Sequence, residues 1–319
     1  MIGVIGAGAF GTALAIALGR ERRSVTLWLR DPDAAARLAE TRLNATHLPG
    51  ATLPETVSVS ADLADLAAAR VILLAIPMQA LAGFLAQNAA VLPSVPVVAC
   101  CKGIDLATLN GPTSVISAAR PDVAVAILTG PSFAADIAKG LPTALTLACD
   151  GGEAEALQHQ LSTANLRLYR TTDVIGAELG GALKNVVAIA AGVVIGAGLG
   201  DSARAALMTR GYAEMQRLAL GLGARPETLA GLSGLGDLVL TCTSLQSRNL
   251  RFGIALGAGT DFDRSITVEG AATAKAVAQL ASEKQIAMPI TQMVADLIDR
   301  TVTLDQAIHS LMSRPLKQE

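Results

Sequence analysis

The chain has 319 residues, 51% of them hydrophobic and 16% charged, with 3% aromatic residues and a formal net charge of −2. That length and apolar content allow two sizeable cores, while the near-neutral balance leaves no electrostatic footprint for nucleic acid or an anionic membrane surface. Cys100, Cys101, Cys149 and Cys242 show neither metal-ligand spacing nor a secretory disulfide framework and read as reduced thiols, and His47, His159 and His309 are too scattered for a metal site, so no metal is expected.

The N-terminus opens directly on an apolar strand, Ile2 to Ile5, with no basic region ahead of it, so no signal peptide and a cytoplasmic location are expected. Gly6-Ala7-Gly8-Ala9-Phe10-Gly11 then gives G-x-G-x-x-G, followed by helical character from Thr12 to Arg22. The order strand, glycine turn, helix carries more weight than the glycines themselves. Gly6 permits the tight turn, Gly8 lets backbone approach a pyrophosphate at the helix N-terminus, and Gly11 lets helix and strand pack closely. Dinucleotide binding is the reading.

A second strand, Val25 to Leu29, ends at Arg30-Asp31-Pro32. Sites for NAD usually place a carboxylate about twenty residues after the glycines, on the ribose 2′-hydroxyl. Here Arg30 stands near that place, and Asp31 before Pro32 reads as the cap of the next helix. A cation there predicts a preference for NADP over NAD; a shift of one residue would instead make Asp31 the ribose ligand.

After a helix from Pro32 to about Arg42 and the loop Asn44 to Gly50, strands are predicted at Val57 to Ser60, Val71 to Ala75, Val97 to Cys100 and Val123 to Leu128. Helical stretches such as Leu63 to Ala69 and Met78 to Asn88 lie between them. Strand alternating with helix predicts a parallel sheet, whose ligands bind outside the carboxyl ends of the strands. Lys102 and the run Gly130-Pro131-Ser132-Phe133-Ala134 stand just past such ends. The uncharged stretch Val71 to Cys101 is broken by Pro77, Pro93 and Pro96 and reads as buried core, not a membrane span. Thr143 to Ala148 and Leu166 to Tyr169, flanking a helix from about Gly152 to Ser162, extend the same sheet. From Thr172 the chain reads helical through to Met312, which places a boundary between residues 1–171 and a helical second unit, 172–319.

That second unit opens with Glu178 to Val187, where a single lysine, Lys184, sits in an apolar, small-residue helix with no further charge from Val186 to Gly200. At helical spacing Gly180, Gly181, Lys184, Ala188 and Ala191 share one face. Two readings compete: a core lysine reaching for water, or a desolvated ammonium held for proton transfer. Further on, Asp237 follows the glycine-rich run Gly231 to Gly236. It is either a helix cap or a counter-charge for Lys184. Ser247, Arg248 and Asn249 offer a guanidinium fork beside neutral donors that suits a phosphate, the other reading of Arg248 being a surface arginine. Glu269 begins a long helix to about Gln285, as a first-turn acid or as an acceptor for cofactor ribose.

Six motifs, in order over nearly the whole chain, resemble the NAD(P)-dependent glycerol-3-phosphate dehydrogenases. They are residues 6 to 14, Cys-Lys-Gly-Ile at 101 to 104, Leu-Thr-Gly-Pro-Ser-Phe-Ala at 128 to 134, Glu-Leu-Gly-Gly-Ala-Leu-Lys-Asn-Val at 178 to 186, Gly-Leu-Gly-Asp-Leu-Val-Leu-Thr-Cys at 234 to 242, and Ser-Arg-Asn at 247 to 249. The resemblance implies an α/β Rossmann-type doubly wound domain followed by an all-helical one, and hydride transfer between NADPH or NADH and dihydroxyacetone phosphate, supplying glycerol 3-phosphate for phospholipid synthesis. It implies Lys184 as the proton donor and acceptor, with Lys102 and Asp237 beside it in the catalytic group. Lys102, Gly130, Ser132, Lys184, Asp237, Ser247, Arg248 and Asn249 match its substrate positions. Gly6, Gly8, Ala9, Phe10, Gly11, Arg30, Lys102, Ala134, Arg248 and Glu269 match its cofactor-lining positions. Phe10 stands where the family usually has tryptophan, and Asp136 where it usually has glutamate; neither removes a catalytic group. Competing readings are a hydroxyacid or 6-phosphogluconate type of dehydrogenase, acting on a carboxylate, and a noncatalytic NADPH-binding sensor. A small-molecule substrate is the expected partner, and the alanine- and glycine-rich helices can supply a homodimer face.

Overall fold

A computed structural model describes residues 1–312. Eight strands form one sheet: β1 (Ile2–Ile5), β2 (Val25–Trp28), β3 (Val57–Ser60), β4 (Ile72–Leu74), β5 (Val97–Ala99), β6 (Val125–Thr129), β7 (Thr143–Cys149) and β8 (Leu166–Thr171). Their order is β3-β2-β1-β4-β5-β6-β7-β8. The first six run parallel, in the order of dinucleotide-binding sheets. Strands buried on both faces read as unbroken β-branched and leucine runs, which is why the sequence exposes them so plainly.

The parallel expectation fails at one seam. β7 pairs antiparallel with β6, Ile127 opposite Ala148 and Thr129 opposite Thr146, and then pairs parallel with β8. The short helix α5 (Ala134–Lys139, 6 residues) lies between β6 and β7, and the chain turns back so that β7 begins at the end of the sheet where β6 finishes.

The remaining helices beside the sheet are α1 (Ala9–Arg20), α2 (Pro32–Thr41), α3 (Met78–Asn88), α4 (Pro112–Ala119) and α6 (Ala154–Leu161). The helix expected over 63–69 is a single 3-10 turn, Leu63–Leu66, capped by Asp62. One apolar cluster on the sheet gathers side chains of α1 and α6, and another those of α3 and α4.

All described elements after β8 are helical: α7 (Val174–Gly196), α8 (Asp201–Gly221), α9 (Pro226–Ala230), a π-helical turn (Leu232–Gly236), α10 (Asp237–Thr243), α11 (Arg248–Ala258), α12 (Glu269–Glu283), α13 (Pro289–Asp299) and α14 (Leu304–Met312). The 23 residues of α7 are apolar enough to cross a bilayer, yet 89% of its most apolar 18-residue stretch is buried inside the protein. Four glycines let α7 and α11 cross backbone to backbone. A Cβ at Gly192 would lie 2.2 Å from Leu250 O, at Gly196 2.1 Å from Ile254 O, at Gly253 2.0 Å from Ile189 O and at Gly257 2.2 Å from Val193 O.

Candidate active site

Lys184 lies in the middle of α7 with its side chain 9% exposed, and it does not reach for water. Its Nζ donates to Asp237 Oδ1 at 3.0 Å and to Thr241 Oγ1 at 2.7 Å. Lys102, just past β5, donates to the other carboxylate oxygen, Asp237 Oδ2, at 2.5 Å and to Gly130 O at 3.2 Å. Asp237 is therefore a counter-charge, and to two lysines, not a helix cap. It opens α10 directly after the π-helical turn, which carries the carboxylate into the protein at 1% exposure.

The electrostatics follow from this trio. Burial pushes the Lys184 ammonium down to about 8, with the Lys102 charge adding to that and Asp237 opposing it. Burial alone would raise the Asp237 carboxyl, but the two ammoniums outweigh it and hold it below the usual range. At neutral pH this leaves two positive charges on one negative, an excess positive charge in a partly dry setting suited to an oxyanion. A group titrating near 8 exchanges protons in both directions at physiological pH.

The small-residue face of α7 is bare because other parts of the protein fill the space beside it. A Cβ at Gly180 would meet Ser233 O at 2.6 Å, and one at Gly181 would meet Thr129 Oγ1 at 2.4 Å. These glycines seat the π-helical turn and the end of β6 against the lysine helix. The Thr129 hydroxyl is buried there without a partner. Below, Glu178 accepts from the Thr113 N–H (2.8 Å) and hydroxyl (2.9 Å), tying α7 to the start of α4.

Around this centre the predicted residues fall into connected sets. Ser132 Oγ donates to Gly130 O at 3.3 Å, beside Lys102. Ser247 caps α11, accepting from the Leu250 N–H, and Arg248 is the exposed first residue of that helix. Asn249 donates to Asn185 Oδ1 at 2.9 Å and accepts from the Gly270 N–H at 3.0 Å, which leaves one amide hydrogen for a ligand. Glu269, next to Gly270, accepts from the Met78 N–H at the start of α3; burial raises its carboxyl and the Arg248 charge opposes that.

The glycine turn lies at the carboxyl end of β1. Gly6 has φ +108°, and a side chain there would run into Ala75 O at 2.6 Å. Gly8 heads α1 with no side chain on the first N–H groups, and nothing stands within 4 Å of where its Cβ would be. Open space before unpaired N–H groups fits a dinucleotide pyrophosphate. Ala9, Phe10 and Ala134 are half-buried nearby; α1, which carries the first two, packs on α5, which starts at Ala134. Asp31 caps α2 through the Asp33 and Ala34 N–H groups, and Arg30 stands exposed past β2. Among the described residues, no group of three or more His, Cys, Asp and Glu is placed to hold a metal.

The N-terminal family model of NAD-dependent glycerol-3-phosphate dehydrogenase matches residues 1–155, and the C-terminal one residues 173–309. The chain belongs to that family. It is 67% identical over 320 residues to a glycerol-3-phosphate dehydrogenase [NAD(P)+] of Cereibacter sphaeroides, covering all of both chains. A Ruegeria relative of the same name is 62% identical, over all of this chain and 99% of its own. The crystal structure of a Coxiella burnetii glycerol-3-phosphate dehydrogenase superposes with a TM-score of 0.93 at 36% identity, covering 98% of each chain.

Two polar residues at the centre of this candidate site were missed in sequence. Thr241 bonds both Lys184 and Asp237, the latter at 3.2 Å; its position four residues after Asp237 on one helix face was the available signal. Asn185, 4% exposed, links the lysine helix to α11. A polar side chain directly after the lone lysine of an apolar helix was the clue.

Proposed function

We propose that this chain interconverts dihydroxyacetone phosphate and glycerol 3-phosphate using a nicotinamide cofactor, NADP in preference to NAD. The observation that carries the reading is the pair of ammoniums on one buried carboxylate, joined through Asn185 and Asn249 to the start of α11 where Arg248 stands. A cation at the head of a helix beside neutral donors suits a phosphate. The names of close full-length relatives support the substrate.

In this reading Gly6, Gly8, Ala9, Phe10, Gly11, Arg30, Lys102, Ala134, Arg248 and Glu269 hold the cofactor, which when bound supplies or takes the hydride. Arg248 and Asn249, with Ser247, hold the substrate phosphate, and that remote binding fixes the carbonyl in place. Gly130, Ser132 and Lys102 line the reacting end. As charge grows on the carbonyl oxygen, Lys184 gives its proton and Lys102 adds positive potential; in the reverse direction Lys184 takes the proton back. Asp237 keeps Lys184 charged enough to donate. Residues 1–171 act as the cofactor half and 172–319 as the substrate half. The setting is a cytoplasmic homodimer feeding glycerol 3-phosphate to phospholipid synthesis.

The test is loss of reduced-nicotinamide absorbance with dihydroxyacetone phosphate, NADPH and NADH side by side. Turnover should be faster at low NADPH than at low NADH, and Lys184→Met should lose about 10² to 10⁴-fold in turnover while still binding cofactor. Near-normal turnover in that variant would remove Lys184 from the chemistry. Cofactor binding without turnover would favour a sensor, and turnover only on a carboxylate substrate a hydroxyacid dehydrogenase.

A further inference from the structure

We infer that Asn44 is a positioning residue for the cofactor, locking the glycine turn in the shape that presents its N–H groups to a pyrophosphate. The inference rests on the cofactor reading above. Asn44 lies in the loop between α2 and β3, and it is 9% exposed. Its Nδ2 donates to Ala7 O at 2.7 Å and to Thr12 Oγ1 at 2.8 Å, and its Oδ1 accepts from the His47 N–H at 3.3 Å. The Thr12 hydroxyl, itself fully buried, donates to the same Ala7 O at 3.3 Å.

Both amide hydrogens and the carbonyl of Asn44 are thus engaged by the protein, so it acts through the turn and not as a ligand. The effect is geometric. The Ala7 carbonyl and the Gly8 N–H belong to one planar trans peptide and point in opposite directions. Pinning Ala7 O inward therefore aims the Gly8 N–H outward, into the space left open beside Gly8. Glycine after Ala7 makes rotation of this peptide inexpensive, because the rotation changes the φ of Gly8, which tolerates conformations other residues avoid. A turn built to admit a pyrophosphate consequently needs an external lock. The loop that supplies it is anchored at its base by the Leu43–Thr52 bridge, by buried Leu48 and Leu53, and by Arg42, which donates to Pro54 O and Val57 O.

The experiment titrates NADPH, followed by nicotinamide fluorescence, and 2′-phospho-ADP-ribose, followed by calorimetry, onto the wild-type protein, Asn44→Ala and Asn44→Asp. Asn44→Ala should weaken both ligands about tenfold, the size of one or two net hydrogen bonds, with the loss in cofactor Kd and not in kcat at saturating NADPH. Asn44→Asp keeps the shape but turns acceptors toward Ala7 O, and should lose at least as much; a packing role would leave it near wild type. Unchanged Kd in Asn44→Ala, or wild-type affinity in Asn44→Asp, would overturn the inference. Should neither variant fold, Thr12→Val removes the second anchor; a weaker Kd supports the lock and an unchanged one overturns it. Failure of the wild-type protein to bind NADPH would defeat the cofactor reading itself, and the inference with it.

Discussion

Replacing Asp237 by asparagine removes the one negative charge between two ammoniums while keeping the shape. At 3.0 Å from Lys184 Nζ, and with an effective dielectric of about 20, the attraction lost is roughly 5 kcal/mol. One pKa unit is about 1.4 kcal/mol, so even half of that lowers the Lys184 pKa by about two units. The Lys102 charge, no longer balanced, acts in the same direction. Reduction of the carbonyl needs Lys184 as the ammonium, and oxidation of the alcohol needs the free amine. In the wild-type protein kcat/KM for reduction should therefore fall as pH rises through about 8, and that for oxidation should rise through the same point. Initial rates across the neutral and alkaline range, in both directions, read the two midpoints. In Asp237→Asn both should move to lower pH together, with reduction collapsing first in neutral solution. Unmoved midpoints, or an upward shift, would refute Asp237 as the group that sets Lys184 protonation.

Other perturbations follow from the same contacts. Arg248→Ala should raise the KM for dihydroxyacetone phosphate at least tenfold, with a smaller effect on kcat; an unchanged KM in steady-state kinetics removes it from phosphate binding. Burial raises the Glu178 carboxyl above its ordinary 4.5 despite the bonds from Thr113. The stability given by its protonated form is complete below that value and is lost as pH rises through the raised folded pKa. Glu178→Gln should flatten that part of the melting-temperature profile, and a profile identical to wild type would contradict the assignment. At the crossing of α7 and α11, Gly253→Ala places a methyl 2.0 Å from Ile189 O; overpacking of this kind costs about 1–3 kcal/mol, which denaturant unfolding would register.

Strands, glycine turn and helix cap were legible because each is a local pattern: apolar runs, G-x-G-x-x-G, Asp31 before Pro32. The direction of β7 was not, since a strand reads the same either way and its direction shows only in the pairing with β6. The helix α4 went unread because Asn110-Gly111-Pro112 reads as a turn, and the carboxylate bonding its first N–H, Glu178, lies 65 residues beyond Thr113. At the site, Lys184 with Asp237 was one of two open readings, while the bond from Lys102, 135 residues before Asp237, was not anticipated. Pairing across that distance is a property of the sheet edge meeting α10, and no local spacing encodes it.

The glycine crossing of α7 and α11 has a mechanical consequence. Helices held apart by side chains slide past one another as rotamers readjust. Here carbonyl oxygens face bare Cα atoms at four steps, and there is nothing between them to readjust. Lys184 and Arg248, on different helices, are fixed in a common frame, like two marks on one ruler. Motion that brings other parts of the candidate site closer or further away has to come from the elements around that frame, and the backbone interval between the two marks stays the same.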